Sequence, residues 1–199
     1  PTANATVHIV ENVLLPQAAL DALGAGGEGE ETAAGPFGPA CEAIPTDGEG
    51  SIEGMADDPA ATAASNNPLL TTLVAGVTEA DLVDTLNGDG PFTIFAPTDD
   101  AFAALPEGAL DAVLADKDLL TAVLTYHVLP GQMSAADLAG TTAASVAGGE
   151  LTFGDDGTTV TADGGDVNVI CSDVPTANAT VHIVENVLLP QAALDALGA

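Results

Sequence analysis

Residues 179–190 read ATVHIVENVLLP, and this stretch decides how the whole chain is understood. In TVHIV, His182 alternates with Val181 and Ile183, the period of two that belongs to a strand, and so faces the opposite side from them. The segment is also not unique. Residues 1–25, PTANATVHIVENVLLPQAALDALGA, recur without a change at 175–199, an offset of 174. Identity of this length does not arise by chance, so the 199 residues comprise one full period of 174 plus a second copy of that period's own end.

Between the copies the chain changes character twice. Residues 26–37, GGEGEETAAGPF, combine Gly, Glu and Pro with no periodic apolar face, which predicts an acidic linker. A domain over 38–199 follows, helical in its first half and strand-rich in its second. Asn67-Pro68 before LLTTLVAGV predicts a capped helix, Thr78 a cap for EADLVDTLN, and Thr98 a cap for DDAFAAL after the strand PFTIFAP. PEGALDAVL and DKDLLTAVL predict two more amphipathic helices. From Thr125 the period shifts toward two: YHVLPG, a hairpin in ELTFGDDGTTVTADG, then VNVIC and TVHIVENVLL. This is an α+β pattern without strict strand–helix alternation.

Composition removes several functions. Thirty Asp and Glu face one cation, Lys117, for a formal charge of −29, so electrostatic binding to nucleic acid or an anionic membrane is excluded. At 47% apolar residues the chain is too hydrophobic for the disordered class. No apolar run approaches the roughly 20 residues of a spanning helix, and no charged-then-apolar leader opens the sequence. An exported protein would have lost its signal already.

TIFAPTDDAF (93–102), TYHVLPG (125–131) and ATVHIVENVLLP (179–190) together resemble the two flanking motifs and the central tyrosine–histidine motif of fasciclin-type domains, in order and at the right spacing. The stretches 38–73 and 170–181 are similar to the secreted and surface-anchored fasciclin antigens of mycobacteria. The resemblance implies a wedge-shaped β-sandwich of about seven strands with a helical layer, and an extracellular adhesion or matrix role without catalysis. Ordinary members are neither this acidic nor preceded by a copy of their own last strand.

Cys41 and Cys171 are the only cysteines, an even pair in a chain that reads as exported, and neither has a second Cys or a His at metal-ligand spacing. The resemblance implies that they are bridged. Closing that loop is worth roughly 5 kcal/mol in the chain-entropy model. Tyr126 and His127 occupy the position of the motif tied to integrin contact in animal members, and the alternative is that both help fix the start of a strand by hydrogen bonding. His182 and its copy His8 have no activated partner, since Ser65, Ser134 and Ser172 lie in no nucleophile motif. No catalytic residue, cofactor or metal is expected. The acidic turns 46–50, 87–90, 154–157 and 162–166 lack a calcium loop's twelve-residue frame and read as tight turns. Asn4 and Asn178 each begin an Asn-Ala-Thr glycosylation pattern, which is left open.

In the first copy Val7, Ile9, Val10, Val13, Leu14 and Leu15 are too many apolar groups for a free tail, at roughly 1.5 to 3 kcal/mol for each fully buried side chain. The copy is therefore expected to complete a preceding or neighbouring domain, either in a covalent tandem array or by donor-strand exchange. The expected partners are copies of the chain itself, head to tail, and a cell-surface or matrix component. A secreted module holding a lipid or small apolar molecule between helices and sheet is the competing expectation.

Overall fold

The computed structural model describes residues 35–105 and 108–197. A 3-10 helix, Pro39–Ala43, is followed by α1 (Ile52–Ala56), α2 (Ala60–Asn66), α3 (Thr71–Glu79) and α4 (Val83–Leu86). Strand β1 (Phe92–Pro97) leads into α5 (Asp99–Ala103), α6 (Ala109–Ala115) and α7 (Lys117–Tyr126). Then come β2 (Val128–Pro130), α8 (Ala135–Leu138), β3 (Thr142–Ala144), β4 (Glu150–Phe153), β5 (Thr159–Ala162), β6 (Gly165–Pro175), β7 (Ala179–Val184) and α9 (Gln191–Leu197).

The strands form a seven-stranded sheet in the order β2-β1-β7-β6-β5-β4-β3. β7 runs parallel to β1, with Ile94 opposite Val181 and Ala96 opposite Ile183, and antiparallel to β6. The eleven residues of β6 carry two register shifts around Cys171, and at those bulges the sheet bends. Beyond the bend it folds back over itself. Phe95 of β1 and Phe153 of β4 are four strands apart in the order, yet their rings stack at 5.6 Å. The edges approach as well, because the Val146 N–H, just past β3, donates to the Val128 carbonyl of β2 at 2.8 Å. The expected α+β fold with seven strands and a helical layer is therefore present, its sandwich being a single rolled, nearly closed sheet.

Strand alternation sorts the core into two clusters. Ile94, Ala96, Ala179, Val181 and Ile183 face the helices with Leu70, Leu73, Val77, Leu120 and Val123. Phe95, Leu129, Leu151, Phe153, Val160 and Val184 fill the inside of the roll. All six residues of β7 are buried, since it lies between two strands with a cluster on each face. His182 points inward opposite Val181 and Ile183, as its alternation predicts, and stacks on Phe95 at 5.3 Å.

Several boundaries differ from expectation for local reasons. Helix α3 starts at Thr71, three residues after Pro68. Asn67 Oδ1 accepts the Leu69 N–H at 3.0 Å and turns the chain first, and the cap comes from far along the sequence. Asp99 accepts the Thr72 N–H at 2.7 Å and the Thr71 hydroxyl at 2.7 Å. Burial raises the Asp99 pKa, but the hydrogen bonds from Thr71 and Thr72 outweigh it and the net shift is downward. Asp99→Ala is expected to cost about 1 kcal/mol, the usual value of a lost cap, with Asp99→Asn recovering part of it. Urea midpoints of the three proteins measure this, and equal midpoints would refute the capping role.

Thr78 caps nothing, for it lies inside α3 with its hydroxyl bonded back to the Val74 carbonyl at 2.8 Å. The strand expected from Thr125 shrinks to three residues, because Thr125 and Tyr126 complete the last turn of α7. The caps at Thr98 and the hairpin β4–β5 form as the sequence predicts.

Cys41 and Cys171 are bridged, with their Cα atoms 5.0 Å apart. The disulfide fastens the 3-10 helix to the bend in β6. Just before it, Phe37 and Ser172 exchange backbone hydrogen bonds at 3.2 and 2.8 Å. A side chain at Gly38, whose φ is +133°, would collide with the Ile170 carbonyl, so only glycine permits this crossing. Val7, Ile9, Val10, Val13, Leu14 and Leu15 lie outside the described residues, as does most of the 26–37 linker.

Candidate functional site

Two regions draw together the residues singled out by sequence. The first is the junction of α7 with the segment after β7. Helix α7 begins at Asp116, whose side chain accepts from the Asp118 and Leu119 N–H groups, and it ends by burying Tyr126 and His127. The His127 ring spans two segments: Nδ1 lies 2.7 Å from the Val123 carbonyl, and Nε2 lies 2.9 Å from the Leu188 N–H. Because Leu188 can only donate, Nε2 must accept, and the proton sits on Nδ1, where it donates to Val123. That is the neutral imidazole. Burial pushes the His127 pKa down to about 4, against a smaller upward pull from the Val123 carbonyl.

Tyr126 is fully buried in the inner cluster. Its hydroxyl reaches the Glu150 carbonyl and an Asp163 carboxylate oxygen, each at 3.4 Å, and burial raises its pKa above the ordinary phenol value. A Cβ at Gly149 would strike its ring. Tyr126 and His127 therefore pack and hydrogen-bond the 125–131 segment to the chain after β7, with no exposed surface to offer a partner. His182 is held likewise. Its Nδ1 accepts from the Asp173 N–H at 3.4 Å and its Nε2 faces the Met133 carbonyl at 3.2 Å, while burial lowers its pKa.

The remaining candidates are occupied by local structure. Ser134 forms a capping box with Asp137 at the start of α8, a signal legible in Ser-Ala-Ala-Asp and not used in the sequence reading. Ser65 donates to the Thr62 carbonyl, and Ser172 is buried at the Phe37 pairing. In the acidic turns, Asp156 accepts the Thr158 N–H and Asp163 the Gln191 N–H, while Asn87 accepts the N–H groups of Ala61 and Thr62. Asn178 accepts the Ala60 N–H at 2.9 Å and donates to the carbonyls of Leu86 and Gly88, both at 2.8 Å. Together Asn87 and Asn178 cap α2, whose own N-cap position is Pro59. The Asn178 amide is thus fully committed to the fold, which leaves its nitrogen no room for a glycan.

The second region was expected only in outline. Between α2, α3 and α4 and the helix-facing side of β1 and β7 lies a cavity of about 100 Å³. Its walls include Met55, Leu70, Leu73, Val77, Ile94 and Ile183, with Ala60, Ala61, Ala63 and Ala64 as the contribution of α2. Leaving such a volume empty in a close-packed interior costs about 2 kcal/mol. Val146, exposed just past β3, is also in its lining. Asn67 is a buried polar residue in its lining.

Comparison with known proteins agrees with this geometry. The fasciclin domain family model matches residues 68–190. The chain is 43% identical to the immunogenic protein MPB70 of Mycobacterium bovis over 182 residues, covering 89% of this chain and 86% of the relative. It is 44% identical to the cell surface glycolipoprotein MPB83 of the same species over 151 residues, covering 73% of this chain and 66% of that one. Among solved structures, the FAS1 domain pair of the insect cell adhesion molecule fasciclin I superposes with a TM-score of 0.61 at 16% identity, over 70% of this chain and 53% of that chain, a likeness of fold.

Proposed function

Since the chain belongs to the fasciclin domain family, we propose that it acts outside the cell as a structural or adhesive protein whose domains join head to tail. Its relatives include a cell surface glycolipoprotein, and the disulfide suits an oxidising compartment. One observation carries the head-to-tail reading. Residues 175–199 supply β7, the strand buried on both faces at the middle of the sheet, and α9, while the same 25 residues stand again at 1–25. A domain has one such slot. The first copy therefore matches a slot only in another domain, and because a heterologous contact need not close, the assembly is linear.

A covalent array and donor-strand exchange both satisfy this geometry, and perfect identity of the copies favours recent tandem duplication and hence the array. Mass spectrometry of the protein from its native source, denatured and reduced, separates them. Masses in steps of one repeat support the array, whereas a single mass near 19.5 kDa supports strand exchange. Light scattering on the native sample tests the shared claim. Linear multiples are expected, dispersed when Val7 and Ile9 are replaced by Asp in the strand-exchange case, and monodisperse single domains would overturn head-to-tail assembly altogether.

A further inference from the structure

We propose that the cavity between α2–α4 and the sheet is a binding site for one neutral, single-chain alkyl lipid, whose carbonyl or hydroxyl oxygen accepts a hydrogen bond from Asn67. Three observations converge on this class of ligand. The first is the composition of the wall. Four alanines of α2 line the space where Leu or Met would fill it at almost no loss of helix propensity, so helix formation does not demand the vacancy. An engineered apolar cavity of about 150 Å³ stays dry and accepts an apolar guest. A volume of about 100 Å³ suits one slender apolar body better than a diacyl lipid.

The second observation is Asn67 itself. It is 1% exposed, and its orientation is fixed because Oδ1 accepts the Leu69 N–H. The amide nitrogen is left with one partner, the Met55 thioether sulfur at 3.7 Å. Sulfur is a weak acceptor, and a buried amide NH₂ carries two donors. Of the other polar groups in the wall, His127 is engaged with Val123 and Leu188, Thr176 with Ala179 and Thr125 with Thr121, while Thr85 is exposed. Asn67 is thus a buried donor in an apolar lining, with a sulfur in place of an oxygen to receive it. The matching group is an oxygen acceptor on an otherwise apolar body.

The third observation is charge. With 30 acidic residues against one lysine the chain's field is strongly negative, and a fatty acid carboxylate would be repelled on approach. An ester, amide or alcohol head is not. The lining also includes exposed Val146 and half-buried Phe92, Val83 and Leu86. The site is built within one domain, so it stands or falls independently of head-to-tail assembly.

Titration of the full chain with the fluorescent apolar probe N-phenyl-1-naphthylamine tests this, and the absence of tryptophan gives a low background. The expected result is saturable binding of one probe per domain, displaced by decan-1-ol about tenfold more readily than by decane, since one hydrogen bond is worth about that factor, and more readily than by decanoate, which the negative field repels. Ala64→Leu should weaken probe binding about tenfold by occupying the space, with Ala61→Leu as the second filling variant where the first does not fold. Asn67→Leu should erase the preference for decan-1-ol over decane. No saturable binding, or binding unchanged in the filled variants, overturns the site. Equal displacement by decan-1-ol and decane in the wild type overturns the role of Asn67, and tighter binding of decanoate overturns the neutral head. Light scattering on the same samples reads the assembly state separately.

Discussion

Removing the Cys41–Cys171 bridge should lower the stability of the domain by about 5 kcal/mol, a large share of the 5–15 kcal/mol that holds a typical domain together. The bridge joins residues 130 apart in sequence, so it removes much freedom from the unfolded chain. It also has a local task. Cys171 is fully buried at the bend of β6, and Cys41 belongs to the short helix laid against that bend. Without the bond, that helix retains the Phe37–Ser172 pairing but loses its covalent anchor. Guanidinium unfolding of the oxidised protein, the reduced protein and the Cys41→Ala/Cys171→Ala double variant measures the effect. The last two should agree with each other and fall well below the first. A difference under about 1 kcal/mol would mean that the unfolded chain is already constrained in some other way.

Acid should weaken the wild type through His127 by about 3 kcal/mol between pH 7 and pH 4, relative to a His127→Gln variant. The unfolded imidazole takes up its proton near pH 6.5, whereas the buried ring resists until about pH 4. Between those values the unfolded state holds the extra proton, so stability is full above pH 6.5 and is lost as the pH falls toward 4. The physical event is specific. Protonated Nε2 can no longer accept the Leu188 N–H, and two hydrogens then face each other in the core. The amide side chain of the His127→Gln variant would keep an acceptor and carry no titrating group. His182 shifts in the same direction because of its burial and adds to the trend in both proteins. Relief of carboxylate repulsion at low pH opposes it in both, which is why the difference between the two proteins is the informative quantity. Parallel pH profiles of wild type and variant would refute the role of His127.

Much of the fold was legible because its signals are local. The alternation in 179–184 placed Val181 and Ile183 on one side and His182 on the other, and Thr98 and Asp116 start their helices where a cap residue and an apolar period coincide. The α2 helix escaped notice for the opposite reason. Its N-terminal donors are satisfied by Asn87 and Asn178, far away in sequence, and AATAASN carries no strong periodic face. The start of α3 moved for the same cause, its cap being Asp99. The rolling of the sheet depends on bulges around Cys171, and a count of residues along an apparently continuous strand does not reveal a bulge. For the cavity, sequence offered only the idea of a groove. Alanines on a helix look like propensity, and the weak sulfur partner of the Asn67 donor becomes visible only beside Met55.

The position of β7 has a consequence for how the domain comes into being. β1 is made early and waits for a parallel neighbour some eighty residues further along, and β6 too is left with an open edge until β7 emerges. On a ribosome the sheet thus stays divided into two parts, each exposing apolar surface and unpaired backbone groups, until nearly the last residues of the domain appear. Pairings of such long sequence separation form slowly. In a tandem array this interval would recur with every repeat, and an unfinished domain would meet a ready-made, identical strand in its neighbour. Strand exchange between successive domains is then a hazard of synthesis as much as a means of assembly.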